Sequence, residues 1–362
     1  INTGFNIGFP GVDFLYGFGE REGILRLGAI SYSIFHNDID LVTLPTVSSS
    51  EFEISISKTI HYFQGIYENN SANIRFALVD EHVSGDRIPD VAAIDYTLQH
   101  LVYAPPPFDI YKARTNDIRI VSYNALSDGL FDPGRQPAFR RIIRALSPQV
   151  ICFQEIYEHS SLQVAQMMEV FLPSAQNQLW YHSLVEPDII LVSRFPIIGT
   201  SSSDGNGIFK VDAPDKEIII LGAHLPCCGN EVERQLEIDR LLGFLRNSIA
   251  GLTNIQIQEN TPIFVLGDMN LVGLRQQQHS LVTGDIVSEH LFGPDFHPDW
   301  DETELDDALP FATGRPHAVT WYNPLGSFSA GRLDYLLYTG SVVEVNNSFA
   351  LNTDDLSLMQ LN

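Results

Sequence analysis

The sequence predicts two domains, an all-β sandwich over residues 1–104 and a larger α/β domain over residues 117–362. A chain of 362 residues is long enough for about two domains. Its first hundred residues contain short apolar or alternating runs separated by Gly, Asn, Asp and Ser, a pattern typical of antiparallel strands. Beyond them, apolar runs alternate with amphipathic segments at helical spacing, which indicates strands and helices packed in layers.

The strands of the first domain are predicted from four runs, "GILRLGAISYSIF", "EFEISIS", "NIRFALVD" and "AIDYTLQHL". Polar turn residues separate them, so a sandwich of short strands is the expected arrangement. The region resembles secreted carbohydrate-binding sandwiches of the family 9 type. That resemblance implies contact with a glycan or a surface, and it implies that the chain begins within this domain.

A linker is predicted over residues 105–116. The segment "YAPPPFD", residues 103–109, contains three consecutive prolines, and such a run continues neither a sheet ladder nor a helix. We therefore expect the domain boundary here.

The second domain begins with a strand in "DIRIVSYN" (117–124). Helices are predicted in "PAFRRIIRAL" (137–146), "SLQVAQMMEVFL" (161–172) and "NEVERQLEIDRLLGFLRNSI" (230–249), the last with a capping-box-like start at Asn230 and Glu233. The remaining strands are predicted in "QVICFQE" (149–155), "DIILVSRFP" (188–196), "EIIILGAHL" (217–225), "TPIFVLGDMN" (261–270), "AVTWYNP" (318–324) and "RLDYLLYTGSVVEV" (332–345).

Polar side chains stand where these apolar strands end. The run "PIFVLGDMN" stops abruptly on a glycine, a carboxylate and a carboxamide, and taken alone it is typical of a turn. Several strands share the pattern, however, and ligands in α/β domains bind at the carboxyl ends of strands. The residues at these ends are Asn124, Glu155, His224, Asp268 and Asn270, with Asp334 near the start of the "RLDYLLY" strand.

The chemistry of this set is rich in oxygen ligands and poor in thiols. The oxygens of Asn124, Glu155 and Asp268 suit a hard cation such as Mg²⁺, Mn²⁺ or Ca²⁺. His224 could donate a hydrogen bond to a phosphate oxygen that gains charge in the transition state. Asn270 could position a nucleophilic water or the phosphate, and Asp268 could polarise that water.

The ordered motifs "SYN", "QE", "HL", "GDMN", "TW" and "RLDY" resemble those of the endonuclease/exonuclease/phosphatase superfamily. Its relatives include secreted deoxyribonucleases and neutral sphingomyelinases. The resemblance covers about residues 116–345 and implies a four-layer sandwich, two packed β-sheets with helices outside. It also implies that Asn124 and Glu155 hold the metal and that His224 contacts the scissile phosphate. By the same resemblance, Asp268 and Asn270 orient the attacking water, and Asp334 pairs with a second histidine.

That second histidine is the departure from the family pattern. The family closes on a Ser-Asp-His motif, whereas none of the 11 histidines here lies after His317, which precedes "TW" and does not match the motif. Two interpretations stay open: the chain stops before its authentic last strand, which we favour, or the protein works without the usual base. The chain also begins with Ile1 rather than Met, so we expect a processed or trimmed product.

The negative charge of the chain disfavours one class of substrate, long nucleic acids. A net charge of −24, an acidic stretch over residues 272–316 and only 21 Lys and Arg disfavour a protein held to nucleic acid by phosphate contacts. The sequence therefore predicts an extracytoplasmic, Mg²⁺-dependent (or Mn²⁺- or Ca²⁺-dependent) hydrolase of a small or lipid-like phosphodiester. The alternatives are a broad-specificity phosphomonoesterase, a secreted nuclease, or a non-catalytic glycan- or surface-binding protein with a degenerate hydrolase domain.

The three cysteines are too few for a disulfide framework. Cys152 lies within an apolar strand and is expected to be a buried thiol. Cys227 and Cys228 are adjacent and follow His224 closely. They could form a vicinal disulfide or remain two thiols, of which we prefer the thiols.

Overall fold

The computed structural model describes most of the chain from residue 110 onward and discrete segments before it. The described residues are 14–17, 22–27, 30–49, 51, 53–57, 71–79, 87–88, 94–99, 110–174, 180–323, 325–326 and 328–353. The Pro-rich segment 103–109 and the closing "LMQLN" lie outside them. Two compact units are present: one comprises residues 1–44, 52–104 and 322–330, and the other comprises residues 45–51, 105–321 and 331–362.

The first unit is built from short antiparallel strands, as the sequence predicts. They are β1 (Phe14–Gly17), β2 (Glu22–Leu27), β3 (Ile30–Phe35), β4 (Val42–Leu44), β5 (Glu53–Ser55), β6 (Ser71–Phe76), β7 (Leu78–Val79), β8 (Arg87–Ile88) and β9 (Ile94–Gln99). β1, β2 and β3 form one sheet, and the others pair as β4 with β5, β6 with β9 and β7 with β8. Leu25, Ile34, Ile39 and Leu41 form its buried core. The division of the chain at residues 104 and 117 and the glycan contact stay predictions.

The second unit contains two larger sheets. Their strands are β10 (Ile120–Asn124), β11 (Val150–Gln154), β12 (Tyr181–Val185), β13 (Ile189–Ser193), β14 (Ile197–Ser203), β15 (Asn206–Asp212), β16 (Glu217–His224), β17 (Ile263–Asp268), β18 (Asp306–Asp307) and β19 (Asp334–Tyr338). The four-stranded sheet has the order β10-β11-β13-β12, and the six-stranded sheet has the order β14-β15-β16-β17-β19-β18.

Five helices accompany these sheets in the described part of the second unit. They are α1 (Gln136–Leu146), α2 (Ser161–Phe171), α3 (Glu231–Ile249), α4 (Arg275–Thr283) and α5 (Glu289–Phe292). None of the helices among the described residues is both long enough and apolar enough to cross a membrane.

The second unit has four layers, because each sheet is buried on both faces. In β11, Cys152 faces the core between the two sheets, where it joins Phe209 and Phe264 of the six-stranded sheet. The next residue, Phe153, faces the opposite side, in a core with Phe139 of α1 and Met168 of α2. The outer face of the six-stranded sheet packs on α3 and α4. Burial on both faces explains why these strands are continuous apolar runs rather than alternating ones, and the predicted four-layer α/β fold is confirmed.

Two local predictions are wrong. The side chain of Asn230 makes no capping hydrogen bond at the start of α3, because its backbone, at φ −84° and ψ 52°, departs from the extended conformation that an N-cap usually adopts. The segment "AVTWYNP" is not a strand over its described residues and contributes only an isolated antiparallel bridge between Trp321 and Gly331. The start of α2 does carry a capping box, between Ser160 and Gln163.

Strand direction brings the functional residues to one edge. β10 and β11 run parallel, as do β16 and β17, so their carboxyl ends lie at one edge of each sheet. β13 is antiparallel to β11, and β19 is antiparallel to β17. The beginnings of β13 and β19 therefore lie at the same edges as the carboxyl ends of their neighbours.

Candidate active site at the common edge of the two sheets

Asn124 joins the edges of the two sheets. It is the last residue of β10, and its Nδ2 donates hydrogen bonds to Glu155 Oε1 at 2.8 Å and to Asp268 Oδ2 at 3.0 Å. Glu155 directly follows β11 in the four-stranded sheet, whereas Asp268 ends β17 in the six-stranded sheet. One carboxamide thus brings together two carboxylates that the sequence places 113 residues apart.

The turn after β10 holds these groups from the other side. Leu126, Ser127 and Asp128 all have left-handed backbones, with φ of 50°, 52° and 57°. The Leu126 amide donates to Asn124 Oδ1 at 2.9 Å, and the Ser127 amide donates to Glu155 Oε2 at 2.9 Å. Glu155 is itself left-handed at φ 60°. Backbone N–H groups of this turn therefore orient Asn124 Oδ1 and Glu155 Oε2, in addition to the side-chain bond from Asn124 to Glu155 Oε1.

His224 is oriented by Asp188, which the sequence analysis did not single out. His224 Nδ1 lies 2.6 Å from Asp188 Oδ2, and the same oxygen accepts the Glu155 amide at 3.0 Å. Burial lowers the pKa of His224, but the hydrogen bond and charge of Asp188, together with the charges of Asp268 and Glu155, raise it overall. The bond at Nδ1 leaves Nε2 as the ring atom that can donate to a ligand.

Asp268 lies next to His224 because β16 and β17 pair in register. His224 and Asp268 are partners across this parallel pair, as are Ala223 and Gly267. Gly267 has φ 144°, and a Cβ there would lie 1.9 Å from the Ala223 carbonyl oxygen, so only glycine permits this register. Burial raises the pKa of Asp268, as does the Glu155 charge, although His224 and hydrogen bonds from Asn124 and Asn270 lower it.

Asn270 connects the loops that follow β16 and β17. Its Nδ2 donates to the Leu225 carbonyl at 2.9 Å, and its amide donates to Asp268 Oδ1 at 3.2 Å. The residue is 7% exposed and left-handed at φ 48°. It therefore fixes the backbone beside His224 in addition to the water- or phosphate-positioning role predicted for it.

Asp334 begins β19 and pairs with Asp268 across the sheet. Thr320 Oγ1 accepts the Asp334 amide at 3.0 Å. Burial first, and then the negative charge of Asp268, raise the pKa of Asp334 to about 7. Its predicted pairing with a second histidine stays a prediction, since residues beyond 353 lie outside the described part of the chain.

The structure thus brings all six predicted site residues to one edge. Sequence reasoning missed Asp188, which is 3% exposed, and Asn206, whose Oδ1 accepts the His224 amide at 3.1 Å. An acid directly before the four buried apolar residues of "DIILV" was the available signal. Asp188 stands before its strand rather than after it, and it reaches this edge because β13 runs antiparallel to β11.

The donor set fits a hard divalent cation. Among the described residues, no three His, Cys, Asp or Glu side chains form a self-contained metal cage. A cage is not required, because Mg²⁺ is commonly held by one or two carboxylates, with water and substrate phosphate completing its shell. Burial is the main cause of the raised pKa values of Asp268 and Asp334, and the charges of Glu155 and Asp268 respectively add to it. A cation at Glu155 and Asn124 would offset those charges.

The cysteines are all free thiols. Cys152 is fully buried, and its burial raises its pKa to about 12. Cys227 and Cys228 are exposed, and the predicted preference for thiols is confirmed. A hydrogen bond to Cys228, together with burial, raises the pKa of the Cys227 thiol, and a raised pKa makes a thiol less reactive at neutral pH.

Comparisons with known proteins agree with the motif order. The model of a family described as "Endonuclease/Exonuclease/phosphatase family" matches residues 121–353. No curated protein matches the chain.

Solved structures with a similar backbone include three proteins of low sequence identity. A β-hairpin deletion mutant of beta toxin from Staphylococcus aureus is 15% identical, with 66% of this chain and 91% of that chain covered and a TM-score of 0.39. TDP2 from C. elegans is 18% identical, with 61% and 64% covered and a TM-score of 0.41. Sphingomyelinase C from Streptomyces griseocarneus is 15% identical, with 63% and 86% covered and a TM-score of 0.37.

Proposed function

Because the chain belongs to the endonuclease/exonuclease/phosphatase family, we propose that it is a divalent-metal-dependent phosphodiesterase. Members of this family hydrolyse phosphoric esters. The observation that carries the proposal is the hydrogen-bonded link from Glu155 through Asn124 to Asp268, beside a histidine held by Asp188. In the proposal, these residues supply oxygen ligands, a general base and a hydrogen-bond donor around one point.

Glu155 and Asn124 are the residues that would hold the cation, Mg²⁺ or alternatively Mn²⁺ or Ca²⁺. When bound, the cation supplies positive charge that polarises the phosphoryl group. Both residues have lone pairs left for this purpose, because the Leu126 amide takes one of the two lone pairs of Asn124 Oδ1 and the bonds from Asn124 and Ser127 leave further acceptor sites on Glu155.

His224 stabilises charge on the phosphoryl oxygens in this mechanism. Asp188 accepts from Nδ1 and holds the ring in one orientation, so Nε2–H points away from Asp188 and can donate to a non-bridging oxygen. The raised pKa of His224 favours the protonated ring, which carries an N–H group at Nε2 as well as at Nδ1. The hydrogen bond strengthens as the oxygen gains charge in the transition state, which is the condition for catalysis.

Asp268 is the proposed base for the attacking water. Its raised pKa makes it a stronger base than an ordinary aspartate. Asp334, directly across the strand pair, has a pKa of about 7 and can take up the proton that Asp268 gains. Asn270 holds Asp268 Oδ1 through its amide and keeps the carboxylate aimed at the water.

A small or lipid-like phosphodiester is the proposed substrate class. The net charge of −24 opposes a long polyanion. Two large side chains on the loops beside Glu155 are exposed, Leu126 at 63% and Tyr157 at 48%, and they offer apolar surface to an organic substituent of the phosphate. An extracytoplasmic location is part of this proposal and rests on the resemblance of the first domain to secreted sandwiches.

Hydrolysis of two chromogenic esters tests the function. The full chain is assayed with bis-p-nitrophenyl phosphate and p-nitrophenyl phosphate in Mg²⁺, Mn²⁺ or Ca²⁺, and again after exhaustive chelation. We expect diester cleavage that chelation abolishes and that Glu155→Gln lowers by about 100-fold or more. Glu158→Gln is the matched control, because Glu158 is exposed three residues along the same loop and should leave activity unchanged.

Other outcomes select among the alternatives. Faster cleavage of the monoester would favour a phosphomonoesterase, and a preference for DNA over both chromogenic esters would favour a nuclease. Activity that survives complete chelation would contradict the metal proposal. No hydrolysis of any ester would favour a non-catalytic binding protein.

A further inference from the structure

The turn formed by Leu126, Ser127 and Asp128 is strained and yet carries the amides that orient the two proposed metal ligands. Left-handed backbones are costly for residues with a side chain, and three in succession without a glycine need outside support. The far end has such support, because the Asp128 carboxylate accepts the amides of Tyr157 and Glu158 and lies 2.8 Å from His159 Nδ1.

Arg135 supports the near end of the turn. Its Nη1 donates to the Leu126 carbonyl at 2.9 Å, and its Nη2 donates to the Ala125 carbonyl at 3.2 Å. A guanidinium group can hold two neighbouring carbonyls at once because its donors form a rigid planar fork. The Ala125 carbonyl shares a planar peptide group with the Leu126 amide, and the Leu126 carbonyl shares one with the Ser127 amide, so the guanidinium fixes the orientation of both donors.

The guanidinium is itself held in place. It lies over the Phe139 ring, 5.3 Å from the centroid, and the Phe139 ring packs on Tyr123 of β10. It also packs on Gly129, where a Cβ would lie 2.4 Å from the guanidinium carbon. The backbone of Gly129 is not left-handed, so another residue could adopt it. A side chain at this position would therefore act by filling the space that the Arg135 guanidinium occupies.

We propose that Arg135 is a positioning residue for the proposed metal site. By holding the carbonyls of Ala125 and Leu126, it keeps the turn in the conformation whose amides orient Asn124 Oδ1 and Glu155 Oε2. Arg135 touches neither the substrate nor the cation. This role rests on the proposed function. It gives Arg135 an effect on metal affinity, which a merely structural role at the start of α1 would not have.

Binding of Mn²⁺ to the full chain, followed by electron paramagnetic resonance, is the first measurement. Removal of groups that orient metal ligands typically weakens metal binding by about 10- to 100-fold, and we expect a rise of that size in the Mn²⁺ dissociation constant for Arg135→Ala. Arg135→Lys should recover only part of the affinity, since an ammonium group lacks the fork. Arg141→Ala is the control, because Arg141 is exposed on α1 and should leave the constant unchanged.

Amide hydrogen exchange in a chelator is the second measurement and does not depend on activity. The Ser127 amide is bonded to Glu155 Oε2 in the wild type, and we expect it to exchange faster in Arg135→Ala. The amides of β11 should exchange at the same rate in both proteins. Gly129→Ala should reproduce both effects by displacing the guanidinium. In the Arg135→Ala background the same glycine change should have no further effect, as expected for two residues acting through one contact.

Unchanged Mn²⁺ affinity in Arg135→Ala would overturn the inference, and so would an equal loss in Arg141→Ala. A general rise in exchange across the second unit would also overturn it, because the effect would then be one of global stability. Failure of the proposed function has a different signature: the wild type itself would neither bind Mn²⁺ at a single site nor hydrolyse the diester.

Discussion

The two sheets contribute to the candidate site in different ways. At the edge of the four-stranded sheet, Glu155 and Asp188 each accept one backbone amide, that of Ser127 and that of Glu155 respectively. At the edge of the six-stranded sheet, Asp268 and Asp334 are placed by strand register, and burial raises the pKa of both. Loop amides thus position the carboxylates of the first edge, whereas burial at the second edge favours the protonated carboxyl groups.

In the proposed mechanism, this difference separates the residues that hold a cation from the residues that move protons. Glu155, whose carboxylate the Ser127 amide orients, takes the ligand role. Asp268 and Asp334, whose pKa values burial raises, take the roles of base and proton acceptor. The Asn124 carboxamide bonds to one acid of each kind, so the two roles are separated by a single side chain.

The largest effect is expected on stability, for a substitution that disturbs the register between β16 and β17 at the second edge. Gly267→Ala would place a Cβ against the Ala223 carbonyl in a backbone at φ 144°, and relief requires β16 and β17 to separate. We expect a loss of about 3 kcal/mol or more in the free energy of unfolding. Gly251→Ala is the control, because Gly251 has φ 72° and nothing within 4 Å of its Cβ position, so only about 1 kcal/mol is expected. Equal losses in denaturant titrations would contradict the register argument.

The second-largest effect is expected at the hydrogen bond between Asp188 of the first edge and His224 of the second. Asp188→Asn removes the charge that orients His224, and we expect kcat for the diester to fall by about 100-fold or more. The pKa of His224 should also fall, because Asp188 raises it. Activity that needs the protonated ring is lost as pH rises through this pKa, so the alkaline limb of the pH–rate profile should move to lower pH. A lower rate with an unmoved alkaline limb would contradict the proposed role of the pair.

Sequence alone predicted the part of the site that depends on local signals. Apolar runs that end on Asn124, Glu155, His224 and Asp268 are visible without knowing which strands pair. Asp188 was missed because its position depends on the antiparallel pairing of β13 with β11. The left-handed turn was missed for another reason: Leu126, Ser127 and Asp128 have no intrinsic preference strong enough to reveal it, and Arg135 supports it from outside.

The fold, like the site, has features that depend on contacts between residues distant in sequence. The alternation of strands and helices follows from apolar periodicity, which is a property of each segment, whereas the four layers were implied by the family resemblance. Residues 45–51 group with the second unit and residues 322–330 with the first, although neither stretch is distinguished by composition. Assignment of such segments depends on contacts between residues distant in sequence, which a single sequence does not specify.

A smaller effect is expected at Asp334, in stability rather than rate. Its pKa is raised from 3.8 to about 7, so between these values the folded chain holds a proton that the unfolded chain has lost. Its contribution to stability is therefore present at low pH and is lost as pH rises toward 7. In a chelator, the free energy of unfolding should fall more steeply with pH in the wild type than in Asp334→Asn. Parallel curves would contradict the shift.

The smallest effect is expected for the adjacent thiols. Cys227 and Cys228 are free and exposed, and the raised pKa of Cys227 lowers its reactivity. Addition of reductant to freshly prepared enzyme should therefore leave the rate of diester hydrolysis unchanged. A rise in rate that Cys227→Ser prevents would show instead that the loop after His224 is redox-sensitive.

The location of a bound cation tests the central claim, that the edge of the four-stranded sheet supplies the metal ligands and the other edge the base. Crystals soaked in Mn²⁺ would be measured at the manganese absorption edge. We expect one anomalous peak at coordination distance, about 2.0 to 2.6 Å, from a Glu155 carboxylate oxygen and Asn124 Oδ1. A peak bound instead by Asp268 and Asp334, or the same peak retained in Glu155→Gln, would contradict it.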